Sequence, residues 1–267
     1  NWGGTRIEPW TPPEGFAAVD KTQSIHQQVM LTLPSSAAYK ERMGSYLDTL
    51  QTWLTANQTA LADEKAVTPR PEMPAELQPL NQPHDPAALY NAMIHPLVPF
   101  AIRGAIWYQG ESNRFDAHLY YYKMHALIKG WRSVWNQGDF PFYWVQLAPF
   151  VYGNESPRGL ARIWEAQTMA LDLPNTGMAV INDIGNLGDI HPRNKIDVGH
   201  RLALIAKANT YGQNDIIWSG PTLKQHRVDG NRIVLTFNHV GDGLLSRNGE
   251  ALTWFELIAA DGTIAPA

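Results

Sequence analysis

AIRGAIWY, residues 101–108, runs directly into QGESN, residues 109–113. A mostly apolar run of this length is that of a buried strand, and the switch to polar residues at Gln109 marks its carboxyl end. Two more such runs follow, FYWVQL at 142–147 and GMAVIN at 177–182. Helical periodicity lies between and around them. Residues 118–135 put Tyr121, Met124, Leu127, Ile128 and Trp131 on one face, 160–171 and 195–210 read as helices, and 88–98 reads as a helix ended by Pro99. Short apolar strands alternating with helices predict an α/β fold, a parallel sheet covered on both faces. Such sheets take ligands at the carboxyl ends of their strands.

Working outward, Gly3-Gly4 signals a turn, and Trp10-Thr11-Pro12-Pro13 is expected to break the chain beyond it. Residues 37–65 carry Tyr46, Leu47, Leu50, Trp53 and Leu54 at helical spacing, predicting one long helix or two. Residues 67–86 are Pro-rich and read as a loop, so 30–86 reads as a helical insertion on the core. Beyond Tyr211 the pattern changes. RIVLTF at 232–237 and LTWFELI at 252–258 read as strands between Gly, Asn and Asp turns. The expected organisation is an α/β domain over 1–211 and a β-rich segment over 212–267 whose unit stops incomplete at Ala265-Pro266-Ala267.

Of 267 residues, 17% are charged and the net charge is -4, which gives no basic patch for nucleic acid. Cysteine is absent, so disulfides, thiolate metal sites and cysteine nucleophiles drop out. No apolar run is long enough to span a membrane. Ten Trp and ten Tyr suit a core first and a sugar-stacking cleft second. His118, His125, His200, His226 and His239 read as surface or satisfied histidines.

Three polar segments are expected on one rim. The first is Gly3-Gly4-Thr5; the second is residues 107–113, WYQGESN; the third is residues 183–192, DIGNLGDIHP. In the third, His191 follows Asp189 by two residues. A histidine held by a carboxylate is the general base of acyl transfer, while a lone Asp-x-His is more often a capped loop with a satisfied histidine. In the second, Gln109, Gly110 and Asn113 suit an oxyanion hole, or a strand-to-helix turn with Glu111 at the helix start. Gly3 and Gly4 offer further backbone N–H groups. Arg193 could face an anionic substrate or pair with Asp197. Arg6, Glu8 and Trp10 read as cleft-lining or structural.

WGGTRIEPW, LYNAMIHPLVPFAIRGAIWYQGESN and DIGNLGDIHPRNK, in this order, resemble the successive blocks of the sialate O-acetylesterase family of SGNH-type hydrolases. The likeness implies a flavodoxin-like three-layer core and a serine-type ester hydrolase that removes O-acetyl groups from sialic acids or plant-polysaccharide sugars. It needs no cofactor and no metal, and it implies a secreted or periplasmic setting. By resemblance His191 is the base and Asp189 its partner, with Gly3, Gln109 and Asn113 around the oxyanion. The family's nucleophilic serine belongs to a Gly-Gln-Ser-Asn-type block ahead of Gly-Gly-Thr, so the chain alone is expected to be inactive. Many relatives put the acid three residues before the histidine. Gly188 stands there, which leaves Asp183 and Glu111 as alternates to Asp189. Ser112, in Gly-Glu-Ser-Asn, is a second nucleophile candidate. The rivals are a non-catalytic carbohydrate-binding protein and a metal-dependent deacetylase. The expected partner is an acetylated sugar, not nucleic acid; the sequence gives no oligomeric state.

Overall fold

The structure, a computed structural model, describes residues 2–266 except 99, 154, 156, 247, 248, 253 and 254, and leaves out the side chain of residue 157. It divides into two units, residues 1–212 and 213–267. In the first, β1 (Ala105–Trp107), β2 (Phe142–Val145) and β3 (Thr176–Ala179) form a parallel sheet in the order β1-β2-β3, with Trp107 beside Trp144 and Trp144 beside Met178.

Side-chain alternation along β2 sets the layers. Phe142 and Trp144 point into a core shared with α4 (Leu119–Trp135) and α5 (Pro157–Met169). On the opposite face, Val145 joins Ile181 and Val198 against α6 (Lys195–Asn209), and the Tyr143 hydroxyl meets Thr210 Oγ1 at 2.7 Å. The three-layer α/β core expected from the pattern is therefore present. Most of the tryptophans serve it. Trp10, Trp107 and Trp131 meet edge to face with centroids 6.0 and 6.1 Å apart, and Trp131 meets Phe142 at 5.6 Å.

Two proline expectations are corrected. Pro12-Pro13 does not break the chain: Pro13 opens α1 (Pro13–Ala17), where its missing N–H costs nothing. Residues 88–98 form no regular helix. A π turn over Tyr90–Ile94 passes into a 3-10 turn over His95–Leu97, because Pro96 cannot donate to the α ladder; Pro99, the expected stop, lies outside the described residues. The strand expected over 101–108 narrows to Ala105–Trp107, since the preceding Gly104 is wedged on Pro141.

α1 crosses α4 at backbone distance. A Cβ on Gly15 would enter the Ala126 carbonyl, and one on Gly130 would lie 2.6 Å from Pro12 Cγ. After α2 (Gln23–Met30), one long helix, α3 (Ala37–Ala62), is capped by Ser36 Oγ on Tyr39 N and strapped by the Pro-rich stretch. Asn57 accepts from Thr68 N, Trp53 Nε1 donates to Thr68 O, and the Tyr46 hydroxyl donates to Pro71 O.

The second unit is β throughout. β4 (Thr222–Asp229), which the sequence reading did not single out, pairs antiparallel with β5 (Arg232–Asn238) across Gly230 at φ 60°. β6 (Glu256–Ile258) pairs with β7 (Ile264–Pro266). Of the strand expected over 252–258, residues 253 and 254 lie outside the described residues, as does Ala267.

Candidate active site

The first two rim segments are stitched together. The Ser112 hydroxyl donates to Gly4 O at 2.9 Å, and Gln109 Nε2 donates to Thr5 O at 2.7 Å. Thr5 is buried; its hydroxyl donates to Trp2 O and accepts from Trp10 Nε1. The turn's carbonyls are thus held by the loop after β1. The Gly3 and Gly4 N–H groups, both on exposed residues, make no hydrogen bond among the described residues.

The side-chain amides of that loop are turned inward. Asn113 is fully buried: its Oδ1 accepts from Ile7 N at 2.8 Å, and its Nδ2 donates to Glu8 Oε2 at 2.9 Å and to Asp116 Oδ2 at 2.7 Å. Gln109 Nε2 also reaches Asn113 Oδ1 at 3.4 Å. The donor role that the sequence suggested for these amides is therefore spent within the protein. Gly110 N donates to Glu111 Oε2 at 3.1 Å. Gly110 sits at φ 147°, with the Tyr120 hydroxyl 2.9 Å from where a Cβ would be. Burial, and then the Glu111 charge, push the Tyr108 and Tyr152 hydroxyls up to about 12.

Beneath this loop lies an ionic cluster that the sequence reading did not anticipate. Lys123, on the buried face of α4, is 5% exposed and holds Glu8 and Asp116, each at 2.7 Å. Arg6 caps both acids from outside at 3.1 and 2.6 Å. Burial alone would raise Glu8. The charge and hydrogen bond of Lys123, with the Asn113 amide and Arg6, outweigh it and hold Glu8 below its ordinary value. Asp116 is likewise lowered against burial by hydrogen bonds from Lys123 and Asn113 and by the Lys123 and Arg6 charges.

In the third segment Asp189 Oδ1 accepts from the backbone N–H of His191 at 2.9 Å. The carboxylate fixes the loop, and the exposed imidazole has no hydrogen-bond partner among the described residues. Asp183 is clasped at both oxygens by Arg201 of α6, each at 2.7 Å. Arg193 does not pair with Asp197, whose partner is the helix-capping Asn194. The helix begins with Lys195, whose Nζ lies 4.7 Å over the Tyr108 ring and so ties the loop after β1 to the start of α6, which follows the third segment. His118 and His125 pair with Glu165 and Asp172 on the outer surface.

A cavity of about 680 Å³ opens beside these segments, lined by Leu187 of the third segment and by residues that the sequence reading passed over: Arg114 and Phe115 after β1, Phe150 and Tyr152 after β2, and Arg162 on α5. The signal was available, because the loop after β2 obeys the same strand-end rule as its neighbours. Among the described residues no three His, Asp or Glu side chains gather to hold a metal ion, and no helix is long and apolar enough to cross a membrane.

A parallel sheet covered by helices on both faces, with polar loops knitted along its carboxyl edge and a cavity beside them, defines an α/β protein with its candidate site at the strand ends. Residues 79–207 match the family described as carbohydrate esterase, sialic acid-specific acetylesterase. The rat sialate O-acetylesterase is 31% identical over an alignment of 244 residues that covers 84% of this chain and 41% of that protein. The human sialate O-acetylesterase is 38% identical over 157 residues, 52% of this chain and 30% of that protein. The crystal structure of a carbohydrate acetylesterase from Xanthomonas citri superposes with a TM-score of 0.66 and 45% identity, covering 69% of this chain and 43% of that one. The chain belongs to the sialic acid-specific acetylesterase family of carbohydrate esterases. It spans about two fifths of the length of the rat relative and of the solved structure.

Proposed function

We propose that the protein is a carbohydrate O-acetylesterase that works through a serine acyl-enzyme. The observation that carries this reading is the pair of unengaged N–H groups at Gly3 and Gly4, pinned at the sheet's carboxyl edge by Ser112 and Gln109. Paired backbone donors held in advance suit an oxyanion, since they need no reorganisation as charge develops. In this reading Gln109, Gly110, Glu111 and Asn113 shape the donor turn.

The nucleophile is a serine of the block that precedes Gly-Gly-Thr in the family. Its hydroxyl attacks the acetyl carbonyl while His191 takes the proton, and the tetrahedral oxygen is received by Gly3 and Gly4. Collapse expels the sugar oxygen, which His191 protonates. Water, deprotonated by His191, then releases acetate. Asp189 is the carboxylate nearest in sequence to support the imidazolium. Asp183 is committed to Arg201, and the Ser112 hydroxyl is committed to Gly4 O. Arg193 is left to face the substrate. The resemblance supports a secreted or periplasmic setting, which fractionation tests.

The test is acetate release from p-nitrophenyl acetate and O-acetylated sialic acid, by this chain and by a version extended upstream. Activity confined to the extended version and lost in His191→Ala supports the proposal. Robust turnover by the short chain moves the nucleophile to Ser112. Silence in both favours a binding protein.

A further inference from the structure

The cavity beside the rim contains none of the residues assigned to acyl transfer. Its wall residue Arg114 is three positions beyond Glu111, and Leu187 is two before Asp189. It is therefore a place for a part of the ligand that does not react. Its construction is specific. Arg114 forks onto Glu155 at 2.7 and 2.9 Å, and its guanidinium lies 4.1 Å from the Phe115 ring centroid and 4.5 Å from that of Tyr152. Tyr152 in turn meets Phe150 edge to face at 4.8 Å. Trp164 is fixed by its Nε1 on Leu147 O at 2.7 Å, and Val151 N is held by Leu187 O at 3.0 Å. Three loops are thus locked into one aromatic-walled hollow. The Tyr152 hydroxyl is shielded from solvent and has no partner among the described residues.

Charge gives the hollow its selectivity. Arg114 is neutralised by Glu155, whereas Arg162, exposed on the second turn of α5, makes no ion pair among the described residues. Fixed aromatic walls suit the C–H faces of a pyranose, and a planar guanidinium suits a carboxylate. The volume falls in the range of about 300–1,000 Å³ that holds ligands larger than a lone acetyl group.

We infer that this cavity is a subsite for an acidic glycosyl unit adjoining the acetylated sugar, its ring against Phe150 and Tyr152 and its carboxylate on Arg162. The inference rests on the carbohydrate-esterase reading and makes the substrate an acetylated acidic oligosaccharide rather than a free acetylated sugar.

Binding tests it without turnover. The full-length protein is titrated calorimetrically with sialyllactose, trigalacturonate and lactose. At least one acidic sugar should bind about tenfold tighter than lactose, with the preference falling as salt rises, and Arg162→Gln should erase it. Phe150→Ala should weaken the acidic and neutral sugars alike. Whichever acidic sugar binds identifies the source of the carboxylate. Equal binding of acidic and neutral sugars, a preference that survives in Arg162→Gln, or no binding of any of the three overturns the subsite. Because hydrolysis of p-nitrophenyl acetate is scored separately, binding without hydrolysis would sink the esterase reading alone, and hydrolysis without acidic preference the subsite alone.

Discussion

The Lys123 ammonium lies 2.7 Å from Glu8 and, through the same nitrogen, 2.7 Å from Asp116. One buried cation on α4 thereby anchors both the chain just after the Gly3-Gly4 turn and the 3-10 segment after β1. The donor turn and the loop that clasps it stand on a common footing. Lys123→Met would leave two carboxylates buried with only Arg6 outside them. The expected destabilisation is about 3–5 kcal/mol by urea denaturation, with acetate release by the upstream-extended protein falling in parallel.

The same cluster sets an acid limit. Glu8 and Asp116 are held below their ordinary values of 4.5 and 3.8, so the unfolded chain binds more protons there than the folded one. Their stabilisation is present in full above those values and is lost as pH falls through the lower folded ones. Melting temperature should drop below about pH 4.5. Arg6→Gln should shrink that drop, lowering the melting temperature at neutral pH more than at acid pH, and an unchanged drop would contradict the cluster's role.

His191 is exposed, so replacing it should leave stability almost untouched. In the upstream-extended protein His191→Ala should lower kcat by a factor on the order of 10⁴ or more. Ser112→Ala, which loses only the clasp on Gly4 O, should cost on the order of tenfold. Circular dichroism melting beside the kinetics separates chemistry from folding.

Arg201 holds Asp183 from a partly exposed position, its side chain 32% accessible. Arg201→Ala should cost less than about 1 kcal/mol in stability. It should nonetheless reduce kcat/KM about tenfold, by freeing the loop that carries His191. Equal losses in both measurements would make the pair merely structural.

Gly15 admits no side chain, because α1 and α4 meet there through backbone. Gly15→Ala should destabilise by about 1–3 kcal/mol or more, whereas Gly199→Ala, where nothing lies within 4 Å, should be neutral or stabilising. Thermal melts of the two variants make the comparison.

Layering and strand identity were legible because β2 is buried on both faces and α4 keeps an apolar stripe at helical spacing. Such periodicities survive tertiary context. β1 was overdrawn because its first half has no ladder partner: Gly104 packs on Pro141 instead. The π turn at Tyr90–Ile94 hid behind a helical composition that Pro96 interrupts. At the rim, residue types located the loops but not the direction of their amides. Asn113 looked like a donor to substrate, and its inward turn depends on Glu8 and Asp116, 105 residues before and three after it. Lys123 gave no signal, since a lysine within an apolar stripe reads as a side chain reaching out to solvent.

The long α3 excursion leaves and rejoins the body at one spot: Leu33 and Leu80 pack into the same cluster as Val29 and Ala87. A detour whose two ends meet adds little closure entropy however long it grows. Its length is thus free to change without disturbing the registry of the loops at the sheet's carboxyl edge.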